Sequence, residues 1–167
     1  FKRENLLPNK LSQLGSGVSW GDVDGDGDDD IFVGGSKGFP STLYINKGKQ
    51  KFENKFQPVF INDSKYEDMG SVFFDPDRDG DLDLFVVSGG VECDPGDPIL
   101  QDRLYINDGN GNFGRAAEGL IPKLNESGSV VSVADINQDG RDDLFIGGRT
   151  VPGNYPSSPR SFILINS

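Results

Sequence analysis

Asp22-Val-Asp-Gly-Asp-Gly-Asp-Asp-Asp30-Ile-Phe-Val-Gly-Gly35 returns in altered form as Asp75-Pro-Asp-Arg-Asp-Gly-Asp-Leu-Asp83-Leu-Phe-Val-Val-Ser88 and as Asp135-Ile-Asn-Gln-Asp-Gly-Arg-Asp-Asp143-Leu-Phe-Ile-Gly-Gly148. The three copies align without gaps, and their starts lie 53 and 60 residues apart. A second motif trails each: Leu43-Tyr-Ile-Asn46, Leu104-Tyr-Ile-Asn107 and the looser Ile163-Leu-Ile-Asn166. One supersecondary unit is therefore used three times.

Each unit reads as four short strands. The first precedes the Asp cluster (Val18–Trp20, Val72–Phe74, Val130–Ala134) and the second follows it (Ile31–Val33, Leu84–Val87, Leu144–Ile146). The Leu-Tyr-Ile run is the third, and a fourth starts near Phe52 and near Phe113, after turns such as Asn107-Asp-Gly-Asn-Gly-Asn. No stretch sustains a 3.6-residue period, so no long helix is expected. Repeats of about 40 to 60 residues with four strands each are the mark of propeller blades. A β-sandwich has no need of one motif at near-constant period, and calcium repeats of a β-helix are much shorter. The fold class expected is all-β: a partial β-propeller of three four-stranded antiparallel blade-equivalents, at about residues 13–60, 66–119 and 126–167. Residues 1–12 would be the outer strand and linker of a preceding or closing blade.

Within each cluster oxygen side chains fall at places one, three, five and nine, with Gly at six. They are Asp22, Asp24, Asp26 and Asp30; Asp75, Asp77, Asp79 and Asp83; and Asp135, Asn137, Asp139 and Asp143. Alternate residues of a tightly turning loop point the same way, so these oxygens converge. The seventh residue, Asp28, Asp81 or Arg141, can add its backbone carbonyl. Hard oxygens in this number suit calcium better than octahedral magnesium or sulfur-loving zinc. An EF-hand opens with the same spacing but needs a bidentate Glu at place twelve, which here is Val33, Val86 or Ile146 inside an apolar run. The loop therefore joins two strands.

Composition narrows the chemistry. With 16 Lys and Arg against 27 Asp and Glu, the formal charge is −11, which argues against nucleic acid or an anionic membrane as partner. No apolar run approaches the ~20 residues that span a bilayer. The chain contains no histidine, which removes Ser-His-Asp and Cys-His catalysis and His-ligated zinc. The single cysteine, Cys93, lies between Glu92 and Asp94, whose charge disfavours a thiolate. Gly34-Gly-Ser36-Lys-Gly38 matches Gly-x-Ser-x-Gly but lacks the helix and the base of a nucleophile elbow. Fifteen of the 27 acids lie in the metal loops, which leaves no unexplained acid pair for glycosidase chemistry. Asn62-Asp-Ser and Asn125-Glu-Ser match glycosylation acceptors, triplets common by chance.

The loops, with the Leu104–Phe113 and Arg149–Pro156 stretches, resemble the FG-GAP/VCBS repeat family, whose calcium-loop blades also build integrin α-subunit propellers. The resemblance covers nearly the whole chain and implies calcium at places one, three, five, seven and nine of each loop. Asn137 and Arg141 depart from it and make the third site less negative and weaker. It implies a secreted or cell-surface, non-catalytic recognition, adhesion or scaffolding module. The alternative is the structural propeller of a secreted polysaccharide-active enzyme such as a lyase.

Successive loops of an antiparallel meander alternate between strand ends, so a protein or glycan ligand is expected opposite the calcium loops. There the connections lengthen, from Gly34–Thr42 to Ser88–Arg103 and Gly147–Phe162. Phe1-Lys-Arg-Glu-Asn-Leu-Leu-Pro8 aligns with Phe113-Gly-Arg-Ala-Ala-Glu-Gly-Leu-Ile-Pro122 and reads as another fourth strand. The chain opens on Phe1, as a processed or excised piece would. Three blades are too few to close, so further blades from a longer parent, or a second copy, are expected.

Overall fold

The alternation of apolar runs and Asp-Gly turns folds into eleven strands and three antiparallel sheets; the computed structural model describes residues 15–167. The first sheet is β1 (Val18–Gly21), β2 (Asp30–Val33), β3 (Thr42–Asn46) and β4 (Phe52–Lys55). The second is β5 (Asp68–Phe74), β6 (Asp83–Ser88), β7 (Arg103–Asn107) and β8 (Phe113–Arg115). The third is β9 (Ser127–Ala134), β10 (Asp143–Thr150) and β11 (Phe162–Leu164). Each strand pairs with its neighbours in sequence, so every sheet is a meander. Each Asp-rich loop links the first two strands of its sheet. The reading of residues 1–12 as an outer strand lies outside the described residues.

The sheets stack face to face. β6 is buried along its whole length because both of its faces are covered. Leu84 and Val86 join Phe32, Leu43 and Ile45 of the first sheet in one core. Phe85 and Val87 join Leu144 and Ile146 of the third sheet in another. A strand covered on both faces needs no polar alternation, which explains the unbroken Leu-Phe-Val-Val run. The leading strands nearly touch: a Cβ on Gly17 would lie 2.7 Å from the Met69 carbonyl oxygen, and one on Gly70 would lie 2.9 Å from the Val130 Cα. At these two places a side chain would force the sheets apart.

Two local features depart from the strand reading. Pro58 opens a five-residue helix, α1 (Pro58–Asn62), which sets Phe60 into the first core, 5.4 Å from Phe32 and 5.2 Å from Tyr105 between ring centroids. β10 continues beyond Ile146 to Thr150, through the Gly147 at which the sequence predicts a loop. Register shifts at Gly147 and Gly148 let the strand bend and pair on with Ser127–Val130.

At the end away from the Asp loops lies a buried polar network. Arg103, 1% exposed, pairs with Asp68 at 2.5 Å and donates to the Tyr105 hydroxyl at 3.1 Å and to Ser88 Oγ at 3.3 Å. Tyr105 donates to Asp63, which also takes two bonds from Arg115. Asp68 accepts from Gly35 N–H at 2.7 Å and from Ser41 at 2.5 Å, and so ties the second sheet to the first.

Asp102, beside this network, accepts from Ser88 N–H at 2.8 Å. Burial pushes its carboxyl up to about 7, against the opposing pull of that N–H and of Arg103. A folded pKa above the unfolded value gives stability that is fully present below the ordinary carboxylate range and lost as pH rises to 7. Asp102→Asn keeps an acceptor for Ser88 and removes the charge. Its stability relative to the parent protein is expected to grow by roughly 2 kcal/mol between pH 5 and pH 8, read from urea unfolding in excess calcium. A difference independent of pH would refute this.

Candidate metal centre

Each Asp loop is wound by its own carboxylates, in the same pattern each time. Place one accepts the N–H of the Gly at place six: Gly27 to Asp22 at 2.9 Å, Gly80 to Asp75 at 3.2 Å, Gly140 to Asp135 at 2.9 Å. Place five accepts the N–H of place seven: Asp28 to Asp26, Asp81 to Asp79, Arg141 to Asp139. Such Asx bonds hold a tight turn without ladder pairing. The sixth residue needs positive φ (90°, 95° and 81°), which glycine adopts without strain.

This winding gathers the charges. Carboxylate oxygens of Asp22, Asp24 and Asp30 lie within 4.8 Å of one another, and so do those of Asp75, Asp77 and Asp79. Either group has the spacing and the donor atoms to hold a metal ion. Asp26 and Asp28 in the first loop, and Asp81 and Asp83 in the second, stand beside these groups. Among the described residues no third triad of carboxylates converges in the loop Asp135–Asp143, where place three is Asn137. There the Asn137 amide donates to Asp139 at 2.8 Å and, with Arg141 N–H, holds the Asp139 carboxyl below its usual range. In the second loop the corresponding residues, Asp77 and Asp79, are both carboxylates and bring like charges together.

Place nine is the buried foundation of each loop. Asp30 accepts from Val23 N–H at 3.0 Å and from Asn46 N–H at 2.8 Å. Asp143 does the same with Ile136 N–H and Asn166 N–H, both at 2.9 Å. Asp83 takes only the Asn107 N–H, at 2.8 Å, because place two of its loop is Pro76, which has no N–H. Its Oδ2 is buried without a partner, as are Asp24 Oδ1 and Asp81 Oδ1. Burial, reinforced by the charges of Asp77, Asp81 and Asp79, pushes the Asp83 carboxyl up to about 7. Burial, then repulsion from Asp79, raises Asp81 as well. Orphaned buried carboxylate oxygens are costly, and a cation beside them removes that cost. The residues present fit an oxygen-loving metal.

The asparagines that close the Leu-Tyr-Ile-Asn motif are site residues that the strand reading passed over. Their N–H groups seat place nine from 16, 24 and 23 residues away. The Asn107 amide also donates to the Val23 carbonyl of the preceding loop at 2.8 Å, and the Asn166 amide to the Pro76 carbonyl at 2.7 Å. The signal lies in the sequence: an Asn recurs as the last residue of each Leu-Tyr-Ile-Asn motif. No helix among the described residues is long and apolar enough to cross a membrane.

A family described as FG-GAP-like repeat matches residues 22–86 and again residues 75–146. No curated protein matches the chain.

Proposed function

The chain belongs to the FG-GAP-like repeat family, and from that premise we propose that it is a non-catalytic, calcium-binding recognition or scaffolding module working outside the cell. Its three sheets are consecutive blades of a β-propeller. One observation carries the calcium reading: Asp83, 1% exposed, keeps a carboxylate oxygen with no donor among four neighbouring carboxylates of its own loop. A buried anion of this kind calls for a cation, and a wide, all-oxygen set favours calcium over magnesium. Ligands come from Asp22, Asp24, Asp26 and Asp30, from Asp75, Asp77, Asp79 and Asp83, and from Asp135, Asn137, Asp139 and Asp143. The carbonyls of Asp28, Asp81 and Arg141 complete the sets. The third loop is the weakest site, because Asn137 already satisfies Asp139 and Arg141 adds a positive charge. Loops tuned to roughly 10⁻⁴ to 10⁻³ M fill only at extracellular calcium levels, which supports the placement outside the cell. A protein or glycan ligand meets the end opposite these loops, where the connections Gly89–Asp102 and Val151–Ser161 are longer than the corresponding connection of the first sheet, Gly34–Ser41.

Calorimetric titration of chelator-stripped protein tests the reading. Three calcium ions are expected to bind, the weakest lost in Asp139→Ala. Calcium must displace the Asp83 proton below pH 7, so affinity at the second loop is expected to fall about tenfold from pH 8 to pH 6. Absence of binding at 10-millimolar-order calcium (about 10 mM) would overturn the proposal, being well above the weakest range known for extracellular modules.

A further inference from the structure

The start of β7 and the segment that follows β8 enclose a cavity of about 600 Å³ at the end away from the Asp loops. That volume lies within the roughly 300 to 1,000 Å³ of small-molecule sites. Every residue of its wall falls between Tyr66 and Lys123. Leu104, Ala116 and Ile121 make much of the wall apolar, and Asp102, Arg115 and Lys123 add polar groups. Gln101 fixes the shape: its amide donates to the Pro122 carbonyl at 3.1 Å, and its side-chain oxygen accepts from Leu124 N–H at 3.1 Å.

Asp102 is the group in this wall that the fold does not account for. Its carboxyl is buried, 2% exposed for the residue, and takes one hydrogen bond among the described residues, from Ser88 N–H to Oδ1. Oδ2 has no donor there. The third sheet shows how little the Ser88 bond requires. The pairings of Val86 with Arg103 and of Ile146 with Phe162 put Asp102 and Ser161 at the same place in their sheets. In that place Gly148 N–H, the counterpart of Ser88 N–H, bonds to the Ser161 hydroxyl at 3.1 Å. A serine is enough to hold the strand end. Asp102 brings a second acceptor and a charge that burial penalises. A buried acceptor left over in the wall of a cavity calls for a ligand that donates to it.

The surrounding charges select that ligand. Arg103 is bound to Asp68 and Arg115 to both oxygens of Asp63, and the two guanidinium groups lie 4.3 and 5.4 Å from the centre of the Tyr66 ring. Their charges are already met, and Asp102 repels another anion. A cation fares no better, because Arg103, Arg115 and Lys123 share the wall with Asp102. What fits is a neutral group that donates hydrogen bonds from one edge and lays C–H surface on Leu104, Ala116 and Ile121. A sugar ring does both. We propose that this cavity binds one neutral sugar unit of a glycan, whose hydroxyls donate to Asp102 Oδ2. The Lys123 ammonium, exposed at the rim, donates to the sugar oxygens. The proposal rests on the reading that a protein or glycan is met at this end, and narrows it to a glycan at a named place.

Chemical-shift mapping of the isotope-labelled, calcium-loaded chain tests it, with the methyl glycosides of glucose, galactose, mannose and rhamnose as probes at up to about 100 mM, a range that covers the weak affinity of a single ring. At least one of them is expected to shift the amides of residues 101–104 and 115–123, with a dissociation constant of about 1 to 10 mM. Asp102→Ser copies the third sheet and keeps an acceptor for Ser88. It is expected to weaken binding by about 10-fold or more with no loss of stability at pH 8, whereas a purely structural Asp102 would change stability and leave binding alone. Ala117→Trp, at an exposed place in the wall, fills the cavity and is expected to abolish the shifts with calcium titration unchanged. Glucuronate and methylammonium are the charged controls. No saturating shift from any glycoside, tighter binding of either control, or binding that ignores either substitution would overturn the proposal. A glycoside that shifts other residues at this end would overturn it too, yet leave the broader reading of that end standing, and calcium titration judges the metal loops separately.

Discussion

Removal of calcium by a chelator is expected to lower the thermal midpoint of this protein by about 8 to 16 °C relative to 1 mM calcium. At a dissociation constant of ~10⁻⁴ M one site adds about 1.4 kcal/mol, and three add roughly 4 kcal/mol. For a domain of this size each kcal/mol moves the midpoint by about 2 to 4 °C. The structural origin expected under the proposed function is the set of buried oxygens without donors, Asp24 Oδ1, Asp81 Oδ1 and Asp83 Oδ2, to which a bound ion would supply a counter-charge. Asp83→Asn, which removes that buried charge, is expected to narrow the difference between chelated and loaded protein. An unchanged midpoint in differential scanning calorimetry would refute the expectation.

Replacing Arg103 by Met is expected to cost about 3 to 5 kcal/mol even with calcium present. The side chain is fully enclosed, and its loss leaves Asp68 without its cation and the Tyr105 hydroxyl without a donor. Asp68→Asn is expected to cost less, because Gly35 N–H and Ser41 still find an oxygen to bond. The double variant is expected to be less destabilised than the sum of the two, as a shared ion pair requires. Additive losses in urea unfolding would show that the two residues act independently.

The strands were legible because each is bounded by an Asp-Gly turn or a Gly-bearing hairpin, and three copies cancel the ambiguity of one short apolar run. β6 was legible for the same reason, although its double burial was not. That depends on two other sheets, and a continuous Leu-Phe-Val-Val run suits a buried strand of any kind. The loop positions were legible from spacing alone. What spacing could not reveal was the difference between loops: Pro76 takes a donor from Asp83, and Asn137 supplies one to Asp139. Such effects arise when a donor and a carboxylate meet in space, a backbone N–H as at Ile136 and Asp143 or a side-chain amide as at Asn137 and Asp139. The Arg103–Asp68 pair was illegible because its partners lie 35 residues apart and charge in a sequence ordinarily reads as surface. β10 ran on past Gly147 because glycines read as a stop when a bulge in fact carries the strand across them.

The asparagine that seats the ninth aspartate and reaches back to the loop before it lies within the repeat, and so does the carbonyl it reaches. Each unit therefore encodes both halves of the seam to its neighbours. Tandem copying of the underlying segment lengthens the array without a new surface having to arise, because an added unit arrives with a fitting edge on either side. The acceptor is a main-chain carbonyl, offered alike by Val23 and Pro76, so an added unit finds its partner whatever side chain stands at place two of the loop before it.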